Sequence, residues 1–334
     1  MKFVVRRLLI TLPTLFLVSV ITFAAFHIIP GDPAAVMLGI EATEAQLEAL
    51  RAEMNLDKGL PVQYGLWLGR FFTGNLGNSA RFRGEPIAGM ILERLPVTLS
   101  LAVLSMVFIF LLAIPTALLP AGRENSLPDR AIHTITTVMI SFPGFFLGVL
   151  LIWIFGVVLK FFVPGAYVSY RQDLGGFLAY LVFPALAIAM PNAAIVVKFL
   201  RGSVFRQLGS DYVRTAYSKG NSRGRVLYRH VLKNAAIPAV TLMGMITADV
   251  FSGSIVIEQV FTIPGIGRLL IASITSRDFS MAQVLVVYIA VVVVLANTLA
   301  DIAIRIIDPR IDDSRISDSR IGDSGIRDSR IQVR

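Results

Sequence analysis

LLITLPTLFLVSVITFAAFHII, residues Leu8 to Ile29, contains no Asp, Glu, Lys or Arg. A hydrocarbon core about 30 Å thick is crossed by roughly 20 apolar helical residues, so this run is long enough to span a bilayer. Lys2, Arg6 and Arg7 precede it. A secretory leader begins the same way, but its apolar region is only about 7–15 residues long and ends in a small-x-small cleavage site. Neither feature is present, so the run is expected to be an uncleaved first span. The early cations hold its N-terminus in the cytoplasm.

Five further runs follow, at about Pro96–Leu119, His133–Phe161, Phe177–Phe199, Ala236–Val256 and Ala282–Ile306. The composition agrees: 55% of residues are hydrophobic, 16% are charged and the mean hydropathy is +0.72. Soluble chains carry about 25% charged residues. The expected fold class is therefore an all-α membrane protein with six transmembrane helices. Pro13, Pro115, Pro143, Pro184 and Pro191 fall inside or near the runs. A bilayer bundle tolerates such prolines because neighbouring helices satisfy the freed carbonyls.

Six spans starting inside place both termini in the cytoplasm. The loop between the fourth and fifth runs is then cytoplasmic, and it holds Arg201, Arg206, Arg214, Lys219, Arg223, Arg225, Arg229 and Lys233. The opposite loops at Val163–Gly176 and Pro264–Ser280 hold only Arg171, Arg268 and Arg277. This is the positive-inside asymmetry, and it accounts for the net charge of +9. Nucleic-acid binding would need a polar basic surface with interleaved aromatics, which is not visible. There is no cysteine, and His27, His133 and His230 lie too far apart for metal-ligand spacing.

The expected organisation is an N-terminal tail and first helix (1–30), an extracytoplasmic segment (31–95), a five-helix core (96–307) with a cytoplasmic loop at 200–236, and a tail (308–334). In the outer segment, Thr43 and Gln46 fit a capping box opening a helix from Glu44 to about Asn55. Leu47, Leu50 and Met54 then share one face. The tail repeats RIDDS, RISDS, RIGDS from Arg310, with too little apolar content for a core, and is expected to be disordered. Pro264–Gly265 reads as an outer turn.

DYVRTAYSKGNSRGRVLYRHVLKNAAIP, from Asp211 to Pro238, carries the functional signal. Asp211 can cap a short helix and Gly220 can end it in a left-handed conformation. The stretch resembles the coupling loop of binding-protein-dependent ABC importer permeases. More narrowly it resembles the dipeptide/oligopeptide/nickel subfamily, whose first permease subunit (the dipeptide permease B type) shows DY-x-RTA-x-x-KG followed by RH-x-L-x-N-A. The broad importer motif begins Glu-Ala-Ala where this chain has Arg214, Thr215 and Ala216, a departure common in that subfamily. TFAAFHIIPGDPA from Thr22, LPVQYGLWLGRFFTGNLGNS from Leu60, ERLPVTLSLA from Glu93, IEQVFTIPGIGRLL from Ile257 and DPR at Asp308–Arg310 match in order.

The resemblance implies a type I ABC importer permease fold in a bacterial or archaeal cytoplasmic membrane. It implies a second homologous permease subunit, two cytoplasmic ATPase subunits or domains, and an external substrate-binding protein. It implies a peptide substrate, with nickel or another small solute as the alternative. Tyr212, Arg214, Thr215, Ala216, Lys219 and Gly220 are the implied ATPase-coupling residues. The chain has no G-x-x-x-x-G-K-[ST] run, so ATP would be used by partner subunits and no cofactor would be bound here. No catalytic constellation is visible. An ion-driven secondary transporter would be favoured by inverted repeats, which are also not visible. Asp249 lies inside the fifth run, where an ionised carboxylate is costly unless paired or wet. It reads either as a pathway residue meeting a substrate cation or as a protonated or internally paired group.

Overall fold

The computed structural model describes residues 2–28, 32–38, 42–79, 81–82, 84–121 and 124–307. The expected disordered tail, and the Pro-Gly part of the turn after the first span, lie outside these residues. Among the described residues there is no strand, only an isolated antiparallel bridge between Asn78 and Pro86.

The helices are α1 (Lys2–Ile28), α2 (Pro33–Leu38), α3 (Glu44–Glu53), α4 (Leu60–Thr73), α5 (Ile87–Leu118), α6 (Leu127–Ser141), α7 (Gly144–Leu151), α8 (Leu174–Leu208), α9 (Asp211–Ser218), α10 (Arg223–Arg225), α11 (Leu232–Val260), α12 (Ile266–Thr275) and α13 (Phe279–Ile307). Two π-helical stretches, Ile152–Val158 and Val226–Val231, continue α7 and lead into α11. Among the described residues, four helices are long and apolar enough to cross a membrane, and the number rises to six if each of two bent pairs is one span. The third run is a bent pair, Leu127–Ser141 and Gly144–Val158, meeting at 102°. Phe142 and Pro143 are both extended at the break, since a residue before proline is disfavoured in the helical region.

α8 is the hub. In its apolar window 67% of residues are buried, against 17% for α1, so α1 is peripheral. α5, α6, α7 and α11 all pack on α8. Ala185, Ala187, Ala189, Ala193 and Ala194 are buried along it. Small residues let helix backbones approach closely where lipid offers no hydrophobic drive to association. Pro184 and Pro191 lie inside α8 without ending it. At 1.5 Å per residue, its 35 residues run about 52 Å, well beyond a hydrocarbon core of about 30 Å. The excess carries Arg201 and Arg206 out of the membrane and delivers the chain to α9.

The bundle is cross-tied by buried polar groups. Arg201 grips Asp129 of α6 with two parallel bonds, Nε to Oδ1 at 2.6 Å and Nη2 to Oδ2 at 2.7 Å. The Asn125 N–H donates to the same carboxylate. In a second knot, the fully buried Glu258 accepts the Thr98 hydroxyl at 2.6 Å and the Arg268 N–H at 3.0 Å. Thr98 in turn accepts the Ile266 N–H at 2.9 Å. A Cβ at Gly265 would collide with the Glu258 carboxyl, and one at Gly267 would lie 2.5 Å from the Ile255 Cα. The Pro264–Gly265 segment is therefore a packed lid over Glu258, more than an outer turn.

The segment between α1 and α5 keeps its expected helix. Thr43 and Gln46 form the reciprocal capping box, and Leu47, Leu50 and Met54 are all half-buried. Arg51 ties this helix to Asp32, Nη2 to Oδ2 at 2.7 Å. Burial works against the Asp32 charge, but Arg51 and the Ala34 N–H outweigh it and hold the carboxyl below the usual range. Further along, the Ser79 hydroxyl donates to the buried Asp278 at 2.5 Å, and Asp278 also accepts from the Met281 N–H in the first turn of α13.

Candidate functional site

α9 is a short helix presented at the end of α8. Ser210 occupies the N-cap, and its carbonyl accepts from Val213 and Arg214. Asp211, expected as the cap, is instead the first helical residue, where its charge still complements the helix N-terminus. The far end is a Schellman closure: the Gly220 N–H bonds the Tyr217 carbonyl, and the Asn221 N–H bonds the Ala216 carbonyl. Gly220 has φ +77°, as the sequence predicts, with nothing within 4 Å of where a Cβ would stand. The glycine is required by backbone conformation and not by crowding.

Val213 and Ala216 are buried in the main core, which also contains Val226 and Val231 of the π-helical stretch. They glue α9 to the bundle. Ala216, among the coupling residues the resemblance implies, packs inward here. Tyr212, Arg214, Thr215, Lys219 and Gly220 are exposed and share one continuous surface with Tyr217 and Ser218. Tyr217 was missed by motif reading: it stands one turn after the buried Val213, yet its side chain is exposed. Arg223, Arg225, Arg229 and Lys233 are also exposed just beyond, and Arg223 donates to the Ala121 carbonyl after α5. The surface is basic and aromatic, on a helix clamped at both ends.

Asp249 lies elsewhere, midway along α11. It lines a cleft of about 180 Å³ with Gly144, Ile188, Pro191, Asn192 and Gly253. Its side chain is exposed and makes no hydrogen bond or ion pair among the described residues. The cleft gathers the break before α7, the Pro191 turn of α8 and the middle of α11. Among the described residues, no group of three His, Asp or Glu side chains could hold a metal.

The family described as the binding-protein-dependent transport system inner membrane component matches residues 111–313, and the N-terminal part of such components matches residues 1–102. The chain belongs to this family. It is a multi-pass inner-membrane transport subunit. A probable peptide ABC transporter permease, y4tP of Sinorhizobium fredii, is 36% identical over 92% of this chain and 98% of its own length. A putative peptide permease of Brucella ovis is 35% identical over the same shares. The oligopeptide transport system permease AppB of Bacillus subtilis is 33% identical, again over 92% and 98%.

Proposed function

We propose that this chain is one permease subunit of an ATP-driven, binding-protein-dependent peptide importer. The observation that carries the reading is the near full-length similarity to permeases named for peptides and oligopeptides. A clamped, exposed α9 supports it, because a docking element must transmit force without folding away. In this reading Tyr212, Arg214, Thr215, Lys219 and Gly220 meet a cytoplasmic ATPase, and Val213 and Ala216 pass its motion to the bundle. A second homologous permease completes the path, and an external binding protein loads it. Both termini lie in the cytoplasm, and the segment 31–95 belongs to the outer side of the membrane. ATP binding by the partners biases a rigid-body rearrangement through its differential affinity for two states. Asp249 lines the path and meets a cationic group of the peptide.

The deciding experiment reconstitutes the complete transporter in vesicles with its binding protein. Uptake of labelled peptides should require ATP inside and persist when ion gradients are collapsed. Uptake driven by an ion gradient without ATP would overturn the proposal, and ATP-driven uptake of nickel but not peptides would overturn the substrate class.

A further inference from the structure

α4, LPVQYGLWLGRFFT, has no buried residue although most of its side chains are apolar. Its faces are unequal. Tyr64, Trp67 and Phe71, at i, i+3 and i+7, turn inward. The Tyr64 hydroxyl pairs with the Ser19 hydroxyl at 2.8 Å. The Tyr64 and Trp67 rings lie 5.3 and 6.0 Å from Phe23. Gln63 pairs with His27 at 3.0 Å. The opposite arc carries Val62, Gly65, Leu66, Gly69 and Phe72, all exposed, and no charge.

The contacts fix the depth of this arc. The apolar span of α1 runs Leu9–Ile28. Ser19 is nine residues inside its end, about 13 Å at 1.5 Å per residue, close to the middle of a core about 30 Å thick. Phe23 is about 7 Å inside by the same rise. The end itself is level with the start of the last span, where Phe26 meets Phe279 with ring centres 6.1 Å apart. The Tyr64 and Trp67 side chains therefore meet α1 below the rim of the bundle. The exposed arc of α4 continues the exposed apolar surface of α1 at Phe16, Leu17 and Ile21.

We propose that α4 is a membrane-immersed helix lying in the leaflet at the C-terminal end of α1, with Val62, Leu66 and Phe72 among the lipid acyl chains. Arg70, exposed on the flank, lifts its guanidinium to the headgroups while its stem stays with the arc. Apolar arcs of this kind bind the interface in proportion to buried apolar area. The occupant is lipid because the arc carries no charge and its inward neighbours Tyr64 and Trp67 meet α1 at hydrocarbon depth. The inference rests on the membrane reading of α1 and not on the substrate.

The chain has no cysteine, so single cysteines at Val62, Leu66 and Phe72 can be spin-labelled in the complete complex in phosphatidylethanolamine/phosphatidylglycerol vesicles. Ile21 serves as the lipid reference and Glu48 on α3 as the water reference. Labels at positions 66 and 72 should collide with oxygen several-fold more than with a water-soluble nickel chelate, matching Ile21. A Glu48-like pattern would overturn the proposal. So would immobilised labels shielded from both reagents, which would mean a protein partner covers the arc. A measurement without labels serves as a check. Trp67 and Trp153 are the two tryptophans, so Trp153→Phe leaves Trp67 alone, and lipids brominated on the upper acyl chain should quench it. Absence of quenching would refute the placement.

Discussion

Gly220 allows the coupling reading to be tested by a graded series. Its φ of +77° is a conformation that costs an L-residue about 1–2 kcal/mol. Nothing stands within 4 Å of a Cβ there, so an alanine adds strain without a clash. Gly220→Ala should thus cost about 1 kcal/mol locally, and Gly220→Val about 2 kcal/mol or more, because β-branched residues are least tolerated at positive φ. Gly220→Asn should cost least, since its short polar side chain tolerates this region. With 1.4 kcal/mol per tenfold, the population of closed, dockable α9 falls about fivefold for Ala and thirtyfold or more for Val. Membrane insertion should be unchanged because no span is touched. Purified complexes would be assayed for ATPase retention, ATP hydrolysis and transport together. The expected order of loss is Asn, Ala, Val. An order following side-chain size, with Ala milder than Asn, would show that bulk at the partner surface matters and that the backbone argument is wrong. Normal values for all three variants would remove Gly220 from the coupling device, and lost insertion would make it a folding residue only.

Other substitutions probe the cross-ties. Thr98→Val removes the hydroxyl that serves both Glu258 and the Ile266 N–H, and should destabilise the complex by about 2–4 kcal/mol in thermal unfolding, with Thr98→Ser near normal. Arg201→Met strands the buried Asp129 carboxylate and should cost about 3–5 kcal/mol, part of which Asp129→Asn restores in the double variant; equal stability of the single and double variants would contradict this. Asp249→Asn should assemble normally but reduce uptake of lysine-containing peptides more than of acidic ones, and an unchanged preference would remove Asp249 from the path. Asp32 has a depressed pKa when folded, so its small contribution is present above the unfolded value near 4 and is lost as pH falls through the lower folded value. Proteolysis around α3 should accelerate only below about pH 4, whereas Asp32→Asn should be cleaved faster already at neutral pH.

Much of the architecture could be read from residue order alone. Six apolar runs locate the four long apolar helices and the two bent pairs because length and polarity are the physical requirements for crossing a bilayer. The α3 capping box and the Gly220 stop were legible because they are local hydrogen-bonding and φ requirements. Where partners are far apart in sequence, the reading failed. Thr98 and Glu258 are 160 residues apart, and Arg201 and Asp129 are 72 apart. Each looks like an isolated polar residue at a span end until the helices are packed. The 102° break in the third run was hidden because Phe142 and Pro143 interrupt an unbroken stretch of apolar character. The π-helical stretches leave no mark in a run with no polar face. At α9 the family motif picks out a segment but does not separate Ala216, which packs inward, from its exposed neighbours.

The Ser79–Asp278 bond has a consequence for biosynthesis. Its partners are separated by 199 residues, and Asp278 immediately precedes the last span. At about 5–20 residues per second, a ribosome takes roughly 10–40 s to make the intervening chain. Throughout that interval Ser79 and the Arg81 N–H, which also bonds Asp278, have no carboxylate to receive them. The Ser79–Asp278 bond therefore forms only after the chain has been made as far as the start of the last helix. A chain cut short before Asp278 would leave the segment at Ser79 and Arg81 without this tie.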